Sequence, residues 1–140
     1  MAQTVRDIMT PDPAWADESA TAEEVAQKMR EVDAGAIPIC NHAGKVIGMV
    51  TDRDIAISVV AEGKVPRDFK VGGLAAGHAI TVDADASVAL ALDLMAQHKV
   101  RRLPVIDGQS LVGVVSQGDI AVHLDDDSTG KLVEVISAAP

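Results

Sequence analysis

Two four-residue stretches carry side chains able to hold a phosphate and a ribose: Thr51-Asp52-Arg53-Asp54 and Ser116-Gln117-Gly118-Asp119. A hydroxyl such as that of Thr51 or Ser116 can donate to a phosphate oxygen. A carboxylate only accepts, so Asp54 or Asp119 can take both hydroxyls of a ribose through charge-assisted bonds. Arg53 adds a planar fork suited to a phosphate, and Gly118 stands in its place in the second stretch. Each stretch closes an apolar run and opens a helical pattern. The free N–H groups of a first helical turn, at the positive end of its dipole, suit an anion. The same spacing also describes a hydroxyl N-cap followed by a favourable first-turn acid. The residue types alone leave both roles open.

The elements that must position these stretches come from a duplication. A shift of 66 residues places Val5 on Val71, Asp17 on Asp83, Met29 on Met95 and Pro38 on Pro104. A one-residue change in a turn makes the shift 65, and Gly48, Val50, Asp54 and Ile55 then fall on Gly113, Val115, Asp119 and Ile120. Each half predicts a short helical turn (residues 5–9 and 71–75) and a brief strand (near 13–16 and 79–82). A helix follows, running from the capping-box spacing of Thr21 and Glu24 to about Val32, and from Asp85 or Ser87 to about His98. A hairpin comes next (36–40 with 46–51, and 102–106 with 111–116), and a closing helix ends each half (53–61 and 118–124). The expected layout is one repeat over 5–62, a linker over 63–70, a second repeat over 71–124, and an acidic turn and weakly apolar tail over 125–140. A unit of this size buries little surface alone. An α+β fold, sandwich-like, of two β-α-β-β-α repeats packed sheet to sheet with pseudo-twofold symmetry gives both one shared core.

Composition narrows the function. Apolar residues make up 48% of the 140, with one Phe, one Trp and no Tyr, so the core is aliphatic. The net charge is −9, with no basic patch of the kind nucleic acid or an anionic membrane surface requires. No apolar run approaches the roughly 18 residues that span a bilayer. The N-terminal residues show no signal-peptide pattern, and a single cysteine, Cys40, allows no internal disulfide. A cytoplasmic protein is expected.

The residues at this point resemble a family. Ala36-Ile37-Pro38-Ile39 with residues 48–55, and Arg102-Leu103-Pro104-Val105 with residues 113–120, are similar to the tandem cystathionine-beta-synthase (CBS) domain pair, or Bateman module. Asp7-Ile8-Met9-Thr10-Pro11 resembles the motif that opens such domains; Gly73-Leu74-Ala75-Ala76-Gly77 departs from it. The length and arrangement are most similar to stand-alone actinobacterial CBS pairs of the hypoxic-response type. The resemblance implies a non-catalytic regulatory module with no required cofactor. It would bind an adenosyl ligand (AMP, ADP, ATP or S-adenosylmethionine) in the cleft between repeats, and form a homodimer. It also implies that basic residues ahead of the second Pro motif, Arg101 and Arg102, reach phosphates; a solvated helix end explains them equally. Ile37-Pro38 and Leu103-Pro104 can wall adenine slots floored by Val50 and Val115, or be plain core.

Other features point to partners or to other chemistry. Val88, Ala91, Leu92 and Met95 form one apolar helix face, the counterpart of Ala22, Val25, Ala26 and Met29. Leu90 and Leu94 make a second face, where the first repeat has Glu24 and Lys28. A helix apolar on both sides needs two covers, either a second copy of the chain or the tail over 132–136. Cys40-x-His42 and the scattered His78, His98 and His123 fall short of a four-ligand structural metal site. No nucleophile–base set is legible. The alternative to a sensor is a CBS-pair interaction protein that binds an unknown protein partner without nucleotide.

Overall fold

The computed structural model describes residues 3–75 and 80–123. Expectations for residues 76–79 and 124–140, including His78, the acidic turn and the apolar tail, lie outside the described residues. The chain forms two compact units that cut across the sequence repeats. One comprises residues 14–80, and the other joins residues 3–13 to 81–123. We call them the Thr51 unit and the Ser116 unit.

In the Thr51 unit, β2 (Ala16–Asp17), β3 (Ala36–Cys40) and β4 (Val46–Thr51) form a sheet in the order β2-β3-β4, with β2 parallel and β4 antiparallel to β3. Every residue of the central β3 is buried, whereas β4 alternates as a strand with one covered face must. Helix α2 (Ala22–Val32) starts at a formed capping box: Thr21 Oγ1 accepts from Glu24 N–H, and the Glu24 carboxylate accepts from Thr21 N–H. Ala22, Val25 and Met29 are buried, but Ala26 is exposed, so the apolar stripe is narrower than the sequence pattern suggests. Val25, Ile37, Ile39, Val50, Val59 and Val71 build the core. Each contributes about 1.5–3 kcal/mol when removed fully from water. The closing helix is not one α-helix over 53–61. Helix α3 (Asp52–Ile55) passes into a π-helical turn, Ala56–Val60. A 3-10 turn, Pro66–Asp68, interrupts the stretch expected as linker.

In the Ser116 unit the sheet order is β1-β7-β6-β5, formed by β1 (Thr10–Pro11), β5 (Val82–Asp83), β6 (Arg102–Asp107) and β7 (Ser110–Ser116). Helix α5 (Val88–His98) starts at Ser87, whose hydroxyl accepts from Leu90 N–H, and buries Val88, Ala91, Leu92 and Met95. Helix α6 (Gln117–Ala121) closes the unit. The strand ahead of each long helix is two residues long and begins later than expected, at Ala16 and Val82.

Each unit is completed by the leading segment of the other sequence repeat. Helix α1 (Val5–Ile8) and β1 belong to the first repeat but join the Ser116 unit. Val5 and Arg6 N–H donate to the Ala86 and Ala84 carbonyls at 2.9 and 2.8 Å, and β1 pairs antiparallel with β7. Helix α4 (Gly72–Ala75) belongs to the second repeat but joins the Thr51 unit, where Val71 and Gly72 N–H donate to the Ala20 and Glu18 carbonyls. The bridges Thr4 to Ser87 and Lys70 to Thr21 repeat the relation at equivalent positions. The apolar residues that drive it, Val5, Ile8, Val71 and Ala75, are buried.

Candidate functional site

The two hydroxyl–aspartate stretches fold into the same junction. At the end of β4, Thr51 N–H donates to Asp54 Oδ2 at 2.9 Å, and Asp54 N–H donates to Thr51 Oγ1 at 3.0 Å. At the end of β7, Ser116 N–H donates to Asp119 Oδ2 at 2.9 Å, and Asp119 N–H donates to Ser116 Oγ at 3.1 Å. Each junction is therefore a complete capping box. The box uses one carboxylate oxygen and one hydroxyl lone pair. The second carboxylate oxygen and the hydroxyl proton have no partner among the described residues. The cap and a ligand role thus draw on different atoms of the same side chains.

The next residue docks each junction on the strand before it. Asp52 N–H donates to the Gly35 carbonyl at 2.9 Å, and Gln117 N–H donates to the Arg101 carbonyl at 2.8 Å. The side chains at these positions differ. Asp52 Oδ1 accepts from Arg53 N–H at 2.8 Å. Gln117 Oε1 is buried with no hydrogen-bond partner among the described residues, an acceptor that a donor or water has to satisfy.

Strand register decides which cations join which junction. Ala36 lies opposite Thr51, and Arg102 lies opposite Ser116. Residues directly opposite in an antiparallel pair project from the same face, about 5 Å apart at Cβ. Arg102 therefore stands beside Ser116 in its own sheet, with the exposed Arg101 next to it. The Ser116 junction lacks an arginine next to its Asp but has two at the start of the neighbouring strand. The Thr51 junction has the exposed Arg53 and a small residue opposite.

The apolar candidates are buried. Val50, Val115, Ile37 and Leu103 are at most 1% exposed. Pro38 and Pro104 are buried as well. These residues fix the strands that carry the junctions. On α5, Leu90 is 47% exposed and Leu94 is partly buried. His42 Nδ1 lies 3.2 Å from Asp17 Oδ1, and its Nε2 lies 3.9 Å from Glu18 Oε1. Asp17 is held below the ordinary carboxylate range by hydrogen bonds from the Ser19 hydroxyl and N–H, and then by His42. Burial, and secondarily the Asp17 charge, push the Cys40 thiol up, away from the reactive thiolate. Among the described residues no group of three or more His, Cys, Asp or Glu is placed to hold a metal ion, and no helix is long and apolar enough to cross a membrane.

Sequence reasoning missed the part played by Gly48 and Gly113. A Cβ on Gly113 would stand 2.5 Å from Met9 Sδ and 2.9 Å from the Thr10 carbonyl oxygen; one on Gly48 would collide with the Ala75 carbonyl. The motif glycine admits the leading segment borrowed from the other repeat. The signal was present, since the glycine precedes the junction hydroxyl by three residues in both halves.

Two hairpins ending in hydroxyl–aspartate junctions define a class. The CBS-domain family matches residues 5–61 and 71–126, and the chain belongs to that family as a tandem pair. It is 43% identical over 133 residues to Hypoxic response protein 1 of Mycobacterium tuberculosis, covering 95% of this chain and 93% of that protein. The crystal structure of Hypoxic Response Protein I with two coordinated zinc ions is similar at a TM-score of 0.82 and 45% identity, over 88% of this chain and all of the other. The CBS pair of MJ0100, solved with 5′-methylthioadenosine and S-adenosyl-L-methionine, shares the fold at a TM-score of 0.74 and 24% identity, over 87% of this chain and 95% of that one.

Proposed function

We propose that this CBS pair is a non-catalytic sensor that binds an adenosyl ligand, AMP, ADP, ATP or S-adenosylmethionine, at its hydroxyl–aspartate junctions. The observation that carries the reading is the unused half of each capping box. Asp54 and Asp119 each keep a carboxylate oxygen for the ribose hydroxyls, and Thr51 and Ser116 each keep a proton for a phosphate. Arg53 serves phosphate at the first junction, and Arg101 and Arg102 serve it at the second. Ile37-Pro38 and Leu103-Pro104 wall the adenine slots, floored by Val50 and Val115. The MJ0100 pair binds adenosyl compounds on the same fold. The sensor acts as a homodimer through Leu90 and Leu94, in the cytoplasm, and passes its state to a protein partner.

Titration calorimetry with AMP, ADP, ATP and S-adenosylmethionine tests the reading. At least one is expected to bind more tightly than about 1 mM, roughly −4 kcal/mol. If none does, the second reading holds: the junctions are caps only, and the exposed Leu90 face serves a partner protein without nucleotide.

A further inference from the structure

The exchanged leading segments lie on the strands that end in the junctions. Gly48 lies three residues before Thr51 in β4 and Gly113 three before Ser116 in β7, about 10 Å of strand. β7 is held on one side by β6 and on the other by β1 alone. Met9 and the Thr10 carbonyl press on Gly113, and the Ala75 carbonyl presses on Gly48. Arg6 fastens the first segment at a distance from the junction: its Nη2 donates to Asp107 Oδ2 at 3.0 Å and its Nε to Asp85 Oδ1 at 3.3 Å.

We propose that the two leading segments are positioning elements for the junctions, and that ligand binding and seating of the segment are linked within each unit. The first segment serves Ser116 and Asp119; residues 71–75 serve Thr51 and Asp54. The inference rests on the sensor reading above. When a segment lifts, the strand beneath loses a neighbour, and the hydroxyl at its end loses the register that faces it to the aspartate. A ligand that binds only the seated form suppresses lifting by a factor of 1 + [L]/Kd, about tenfold at ten times Kd. Local opening of this kind is what amide exchange reads.

The test is hydrogen exchange on the full chain, with and without AMP. The reporters are the amides of Val5, Arg6 and Met9 for the first segment, and of Val71, Gly72 and Ala75 for the second; all six are hydrogen-bonded. The expected result is about tenfold slower exchange, at ten times Kd, in the segment of the unit whose Asp→Asn substitution (Asp119→Asn or Asp54→Asn) weakens AMP binding by about tenfold or more. AMP binding with neither segment slowed, or with only the other unit's segment slowed, overturns the linkage and leaves the sensor reading standing. If AMP does not bind, the same experiment is run with whichever of ADP, ATP or S-adenosylmethionine does, and binding of none of the four overturns both. Arg6→Ala removes the fastening without touching a junction. It is expected to speed exchange at Val5 and Met9 and to weaken AMP at the Ser116 junction several-fold, leaving the Thr51 junction unchanged; faster exchange with unaltered affinity at Ser116 also overturns the linkage. Gly113→Ala is expected to act in the same direction more strongly.

Discussion

At the residue scale, the capping task of each junction aspartate is separable from the ribose-binding task proposed for it. A carboxylate has two oxygens, one of which caps the strand–helix turn in both units. Removing the cap alone costs about 1 kcal/mol. Asp54→Ala and Asp119→Ala are each expected to lower the urea-unfolding free energy by about that amount, and an unchanged midpoint contradicts the cap. The cap was legible in the sequence because Thr-x-x-Asp is a local, three-residue relation. The placement of Arg102 was not, because it depends on the register of β6 on β7. Asp17 gives a pH dependence. Its carboxyl is held low in the folded protein by Ser19 and His42, so it contributes stability that is present above the unfolded value and is lost as pH falls through the folded one. The gap in urea midpoint between the wild type and Asp17→Ala is expected to hold at neutral pH and to close as pH falls below 3.8, the ordinary aspartate value. A gap that stays constant contradicts the assignment.

At the scale of elements, the sequence placed both ends of the two long helices, at Val32 and His98 as well as at their hydroxyl caps, but not the course of the first closing helix. Thr21, Thr51, Ser87 and Ser116 all cap as their residue types require. The π-helical turn at Ala56–Val60 was not legible, because Ala-Ile-Ser-Val-Val reads equally well as the continuation of an α-helix. Helices α2 and α5 both end on residues in the left-handed region, Asp33 at φ 53 and Lys99 at φ 55. Glycine adopts that conformation without the Cβ penalty. Asp33→Gly and Lys99→Gly are each expected to stabilise the protein by about 0.5–1 kcal/mol, read as a rise in urea midpoint. A fall at both sites contradicts the cap geometry.

At the scale of the whole molecule, the duplication was legible and the exchange was not. Aligning the halves reveals the repeats, but which sheet a leading segment covers is a long-range choice that periodicity does not encode. The compact units predict how the chain can be cut. A fragment of residues 14–80 keeps Val71 and Ala75 over its core, whereas a fragment of residues 5–62 lacks them. The first is expected to unfold cooperatively in urea and the second not to; the reverse contradicts the exchange. If Leu90 and Leu94 join two copies, Leu90→Glu with Leu94→Glu halves the mass seen by light scattering, and an unchanged mass removes the interface. The central claim is that a junction aspartate holds a ribose, and the most direct test is calorimetry on Asp54→Asn and Asp119→Asn with the tightest-binding adenosyl compound. Asparagine has a single acceptor oxygen, which can cap the turn or take the ribose but not both. At least one substitution is predicted to weaken binding by about tenfold or more, the scale of a lost charge-assisted bond, with little change in stability. Unaltered affinity in both variants would contradict the account.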